Sequence, residues 1–416
     1  MPRRPAPADP RLRALVSAAA RRPVGPAAGG GVSRREFLTG VLGAAGAAAL
    51  LAACGGSPGA AATVGAGAST GTGAPARGTL RWASWPLYLD TDDDGTHPTL
   101  TTFGAAAGED VTYSEVIEDN QSFTQSVADA LAAGTDIGYD VVTLTDWMAA
   151  RWIREGWVAE LDRTRMPNAD NIVPSLAGTD FDIGRTRSLT WQLGFSGLAW
   201  DTRALPQGLH TVSDLWAPGL AGRVDVLSEM RDTMGLLLGD AGVDPAGAWS
   251  DEQFVAALDV LRAQLESGQL RKVAGNSYTD DLVSGAAVAA IGWSGDILSL
   301  NAAEPGRFGF ALPDSGGMLW SDNLMVPAGS TALSGAEDLI NFYYDPEVAA
   351  EVAAWVNYVS PVQGAQQAME AIDPSLVDNE LIFPTDETLA RTHIFRTLTP
   401  AEDERFVAQF LDVIGQ

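Results

Sequence analysis

Residues 318–327, MLWSDNLMVP, set a large aromatic and a carboxylate two positions apart in an otherwise apolar stretch: Trp320 and Asp322. Successive side chains of a strand alternate faces, so these two would point the same way. A carboxylate buried on such a face is costly unless something pairs with it. The partner is either an arginine of the same chain or a ligand. The structural alternative is a core Trp beside an Asp that caps the next turn. Other chemistry is thinly represented. The three histidines, His97, His210 and His393, have no metal-ligand partner at helical spacing. GFSG at 194–197 and GWSG at 292–295 each fall one residue short of the G-x-S-x-G nucleophile elbow. No catalytic residue, cofactor or metal is therefore expected. The stretch DTDDDG at 90–95 opens like a calcium loop, but Thr101 stands where the twelfth-position Glu belongs and Pro98 intrudes. It reads as an acidic surface loop.

The elements that must position these residues alternate along the chain. TLRWASW at 79–85 reads as a first strand, and a helical stretch follows from Ser122 to Leu131. YDVVTLT at 139–145 is a buried strand, with a helix across Met148–Glu155. LTWQLGFSGLAWD at 189–201 reads as paired extended segments. Ser250 and Gln253 form a capping box ahead of Phe254, Leu258, Leu261 and Leu265 at helical spacing. AAVAAIGW at 286–293 is another buried strand, and Leu339–Val356 is helical with a break at Asp345-Pro346. This alternation argues an α/β architecture. The 416 residues suffice for two domains with real cores.

The N-terminus stands apart. SRREFLT at 33–39 is a twin-arginine pattern, followed by the apolar run VLGAAGAAALLAAC, which is short for a membrane span. It ends in Leu51-Ala52-Ala53-Cys54, which resembles a bacterial lipobox, and Cys54 is the only cysteine. Residues 1–53 are expected to be an export signal, Cys54 to carry lipid, and the small-residue segment to Gly78 to be a tether. Cutting before Cys54 removes eight Arg and two acids, leaving 18 basic residues against 51 acidic ones, a formal charge of −33. Nucleic acid is an improbable partner for such a chain, and cations are drawn to it at long range.

Several ordered stretches carry a family likeness. They are SWPLY at 84–88, YDVVTLTDWMAARWIREGWVAELD at 139–162, the SDLW…GRVDVLSEMRDTMG stretch at 213–235, IGWSGD at 291–296, LWSDNLMVP at 319–327 and INFYYDPEVAAEVAAWVNYVSP at 340–361. In order and spacing they resemble the spermidine/putrescine-binding proteins of polyamine ABC importers, from about residue 79 onward. The resemblance implies a class II periplasmic-binding-protein-like fold with two discontinuous α/β lobes and the ligand between them. Lobe one is placed at 79–190 plus 320–367, and lobe two at 191–319 plus 368–416. It also implies an ABC permease as partner, a monomer, and a cell-surface or periplasmic location through the anchor at Cys54.

A polyamine needs carboxylates at its ammonium groups and aromatic faces along its methylenes. By resemblance, Trp320 and Asp322 grip one amine. Glu229 and Asp232 match a pair of acids three apart, side by side on a helical turn, although with the two types interchanged; an acidic first turn favoured by the helix dipole is the plain alternative. Trp85, Tyr88, Thr145, Trp147, Trp293, Tyr358 and Gln409 complete the implied site. Pro86 replaces a polar residue of the family pattern and Trp147 a Tyr. With ligand absent, the acids are expected to stay hydrated and the lobes open. A binder for another cationic or polar molecule, such as a quaternary ammonium compound, and a receptor without transport remain open.

Overall fold

The computed structural model describes residues 78–92 and 94–415. The expected signal at 1–53, Cys54 and the tether up to residue 77 lie outside the described residues. Gly78, expected to end the tether, already belongs to the first strand.

The strands are β1 (Gly78–Ser84), β2 (Glu109–Glu115), β3 (Val141–Thr145), β4 (Leu189–Asp201), β5 (Val224–Leu227), β6 (Leu270–Ala274), β7 (Ala289–Trp293), β8 (Phe308–Ala311), β9 (Gly317–Met325) and the two-residue β10 (Thr392–His393). They join in one mixed sheet of order β2-β1-β3-β9-β4-β7-β5-β6, with β8 on β4 and β10 on β9. At one side β1 runs parallel to β2 and β3; at the other β5 runs parallel to β6 and β7. Parallel neighbours need crossover connections, and the helices between these strands supply them. Each side has its own buried residues: Leu80, Val141, Leu144 and Trp152 in the first, Val226, Leu238, Phe254 and Ile291 in the second.

The sides meet at β4 and β9, which are antiparallel. The start of β4 lies beside the part of β9 that pairs with β3, while residues 196–200 pair with β7. The segment 189–201 is thus a single 13-residue strand, not the paired segments expected. Within it, Gly194 is there for close packing. A Cβ at Gly194 would lie 2.3 Å from the Trp320 ring and 2.8 Å from that of Tyr358.

Most other expectations hold locally. The helix Asp251–Glu266 starts with the Ser250/Gln253 capping box. The break before Pro346 separates the helices Leu333–Tyr343 and Pro346–Val356, because proline cannot donate in a helix interior. The helical stretch near 122–131 is two short helices, Asn120–Ser126 and Ala128–Ala133, interrupted at Val127. In the acidic loop, Asp92 accepts the backbone N–H groups of Asp94 and Thr96. Asp90 is buried and accepts the N–H of Thr99 at 2.8 Å, so that end of the loop is not on the surface.

Candidate ligand-binding site

β9 delivers Trp320 and Asp322 to the same side of the sheet, as the period of two requires. Both line a cavity where the two sides of the molecule meet. Thr145, at the end of β3, stands directly across from Asp322. Its hydroxyl donates to Asp322 Oδ1 at 2.7 Å, and the Tyr88 phenol donates to Oδ2 at 2.9 Å. Tyr88 and Trp85 reach the cavity through the turn after β1. There Pro86 is followed by Leu87 at φ 59°, an uncommon conformation for a residue with a Cβ. The Leu87 N–H is held by Glu115 Oε1 at 2.9 Å.

The opposite wall comes from β5, β7 and the helices that follow them. Glu229 is the N-cap of the helix Met230–Asp240, and Asp232 sits in its first turn. Glu229 makes no capping hydrogen bond, while Asp232 keeps the first-turn position that the helix dipole favours. Asp232 accepts from the Ser196 hydroxyl at 2.7 Å and weakly from Trp293 Nε1 at 3.4 Å. β7 ends at Trp293, and the next helix, Ser294–Ala303, presents Asp296 from its first turn. The phenols of Tyr358 and Tyr278 donate to Asp296 at 2.8 and 2.9 Å. Tyr358 stands edge-on to Tyr88 and Trp320, each at 5.3 Å between ring centroids. Its place depends on a second close glycine, since a Cβ at Gly295 would lie 2.6 Å from its ring.

Asp322, Glu229, Asp232 and Asp296 are 4, 5, 7 and 7% exposed. They are buried, not hydrated as expected of an open cleft, so the arrangement described is a closed one. Among the described residues none of the four takes part in an ion pair. Arg231, which stands between two of these acids in sequence, pairs with Asp403 at 2.7 Å. Burial pushes Asp322 up to about 7, against the pull of its Thr145 and Tyr88 donors. It pushes Asp232 and Asp296 up to about 6. Glu229 is raised well above the carboxylate range, first by burial and then by the charge of Asp119. A buried carboxylate with an unsatisfied appetite for positive charge is what a cation-binding cavity requires.

Trp85, Tyr88, Thr145, Glu229, Asp232, Trp293, Trp320, Asp322 and Tyr358 all line this cavity. Two residues assigned from the resemblance do not. Trp147 lines a larger neighbouring space, and the Arg231 guanidinium covers its ring at 4.1 Å from the centroid. Gln409 lies on the C-terminal helix Pro400–Ile414 and lines neither space. The flanking residues differed there, and the position was fixed by residue type alone. Asp296, Asn276 and Pro86 also line the cavity. Asp296 closes the quoted motif IGWSGD, and its place three residues after a strand-ending Trp was the available signal.

The sequence pattern of a family described as bacterial extracellular solute-binding protein matches residues 99–383, more than half of the chain. The chain belongs to this family. Relatives of this solute-binding protein include spermidine/putrescine-binding periplasmic protein 1 of Haemophilus influenzae, 26% identical over 263 residues, covering 62% of this chain and 71% of the relative. A putrescine/cadaverine-binding protein of Pseudomonas aeruginosa is 27% identical over 355 residues, covering 81% and 93%. Among solved structures, the TpPotD lipoprotein of Treponema pallidum superposes with a TM-score of 0.66 at 20% identity, covering 81% of this chain and all of that one. AgtB of A. tumefaciens, in complex with agropinic acid, gives 0.65 at 19% identity, covering 82% and 99%. The fold is therefore the two-lobed one of periplasmic binding proteins, with the cavity between the lobes. Among the described residues no helix is long and apolar enough to cross a membrane.

Proposed function

We propose that this chain is the extracytoplasmic binding component of an ABC importer and that its ligand is a polyamine of the spermidine/putrescine type. The observation that carries the reading is the convergence of Asp322, Asp232, Glu229 and Asp296 on one aromatic-walled cavity with no ion-pair partner among the described residues. Primary and secondary ammonium groups donate hydrogen bonds to carboxylates, and Trp85, Trp293, Trp320 and Tyr358 offer faces to cations and methylenes. A quaternary ammonium would suit the rings but could not donate to the acids. The relatives named for spermidine, putrescine and cadaverine support the same choice.

In this reading the lobes are 79–190 plus 320–367 and 191–319 plus 368–416. Ammonium groups bridge acids of both, so all contacts exist only in the closed state and the ligand favours closure. The closed form docks on a permease as a monomer. The twin-arginine signal exports the chain, and lipid on Cys54 holds it at the outer face of the membrane, with residues 55–77 as tether. A surface receptor that does not transport would use the same site.

Calorimetric titration of the purified chain with putrescine, spermidine, spermine and glycine betaine tests the ligand class. At least one polyamine should give heat, with affinity falling as salt rises. Asp322→Asn should weaken it by a factor of at least ~10, the scale of one charge-assisted hydrogen bond. Heat from betaine alone, or from no polyamine, would refute the proposal.

A further inference from the structure

The acids on the two walls are connected through two neutral side chains, Asn120 and Thr145. Asn120 is fully buried at the start of the helix Asn120–Ser126. Its backbone N–H and its Nδ2 both donate to Glu229 Oε1, at 3.0 and 2.9 Å. Nδ2 also donates to Thr145 Oγ1 at 2.9 Å, and Oδ1 accepts the Thr145 N–H at 3.1 Å. An amide nitrogen carries two hydrogens, so both side-chain donations can be made at once. Since the Thr145 hydroxyl oxygen receives one of them, its own proton is directed to Asp322. Asp322, Thr145, Asn120 and Glu229 thus form a directional chain across the cleft, in which each hydroxyl and amide orientation is fixed by the next.

We infer that Asn120 is a positioning residue that couples lobe closure to ligand capture by aiming Glu229 and, through Thr145, Asp322. The assignment rests on the binding reading above. It does not make Asn120 a ligand contact: Asn120 does not line the cavity, whereas Glu229, Thr145 and Asp322 do. The reason for a neutral donor is electrostatic. Asp119, adjacent in sequence, sets its negative charge against Glu229 across the same boundary. Closing that boundary brings like charges together, and the two Asn120 hydrogen bonds to one oxygen of Glu229 offset part of the cost. The other oxygen, Oε2, is left for the ligand's ammonium.

The test is a double-mutant cycle between Asn120→Ala and Glu229→Gln, read as polyamine affinity by calorimetry, with thermal melting of every variant. Asn120→Ala keeps the backbone N–H bond but removes the Nδ2 donor to Glu229 and both side-chain bonds to Thr145. It should weaken binding of putrescine or spermidine roughly tenfold, the scale of one hydrogen bond to a buried charged acceptor. In the Glu229→Gln background the same change should cost no more than about a third of that in logarithmic terms, because the pair acts as a unit. Should Asn120→Ala fold poorly, Asn120→Asp keeps the shape and the Thr145 N–H acceptor but removes both Nδ2 donors, and it should weaken binding at least as much. Affinity within twofold of the parent for a well-folded Asn120→Ala or Asn120→Asp, or equal losses in both backgrounds, would overturn the assignment while leaving the binding reading intact. A parent chain that binds no polyamine would overturn both.

Discussion

At the residue scale the cavity depends on carboxylates kept hungry for charge. Asp296 accepts two phenolic hydrogen bonds and still has a raised proton affinity, because burial outweighs those donors. Removing its charge while keeping its shape isolates its contribution. Asp296→Asn should weaken polyamine binding by roughly tenfold or more, with unchanged thermal stability or a slight gain, since a buried unpaired charge is relieved. Unchanged affinity would show that Asp296 serves only to hold Tyr278 and Tyr358. Trp320 and Asp322 were legible from the sequence because the two-residue period of a strand dictates their common face. Glu229 and Asp232 were legible only through resemblance, since an acidic first turn is common on any helix. Asp296 was overlooked beside Trp293 although the same motif contains it. Trp147 shows the opposite failure: the aromatic type suited a cleft wall, but Arg231 lies across its ring. Only the fold reveals that contact, because Arg231 is 84 residues away.

At the element scale the long strand β4 decides the geometry. Its first part belongs to the side built on β3 and its second part to the side built on β7. The site forms where it passes β9, with Gly194 opposite Trp320. The stretch, expected as paired extended segments, is one strand. The physical role of Gly194 is the absence of a side chain under the aromatic wall. Gly194→Ala should therefore push Trp320 and Tyr358 out of place. The expected cost is ~1–3 kcal/mol of stability, typical of overpacking, seen as a lower melting temperature, together with a drop in ligand affinity of at least tenfold. An alanine tolerated without loss of affinity would mean that Trp320 does not contact ligand. The alternation of strands and helices, the capping box at Ser250 and the stop at Pro346 were all readable locally. The order of strands in the sheet was not, because crossover connections between distant strands leave no local trace.

At the scale of the whole molecule, two half-sites and a strongly acidic chain converge on one behaviour, proton-linked cation binding. Asp322 at about 7, with Asp232 and Asp296 at about 6, holds protons in the folded chain at a pH where it would lose them unfolded. Their folded values are raised, so the contribution of these groups to stability falls as pH rises from about 4 toward 7. Ammonium groups in the cavity reverse that cost by stabilising the ionised forms, so ligand must displace protons. The most direct measurement is calorimetric titration with putrescine and with spermidine at pH 6.5, repeated in buffers of different ionisation enthalpy. Binding should release protons at pH 6.5 and fewer at pH 8.5, as Asp322, Asp232 and Asp296 are already ionised at the higher pH. No heat from either polyamine, or binding with no proton release or with uptake, would contradict the central claim that buried, unpaired carboxylates hold the ligand.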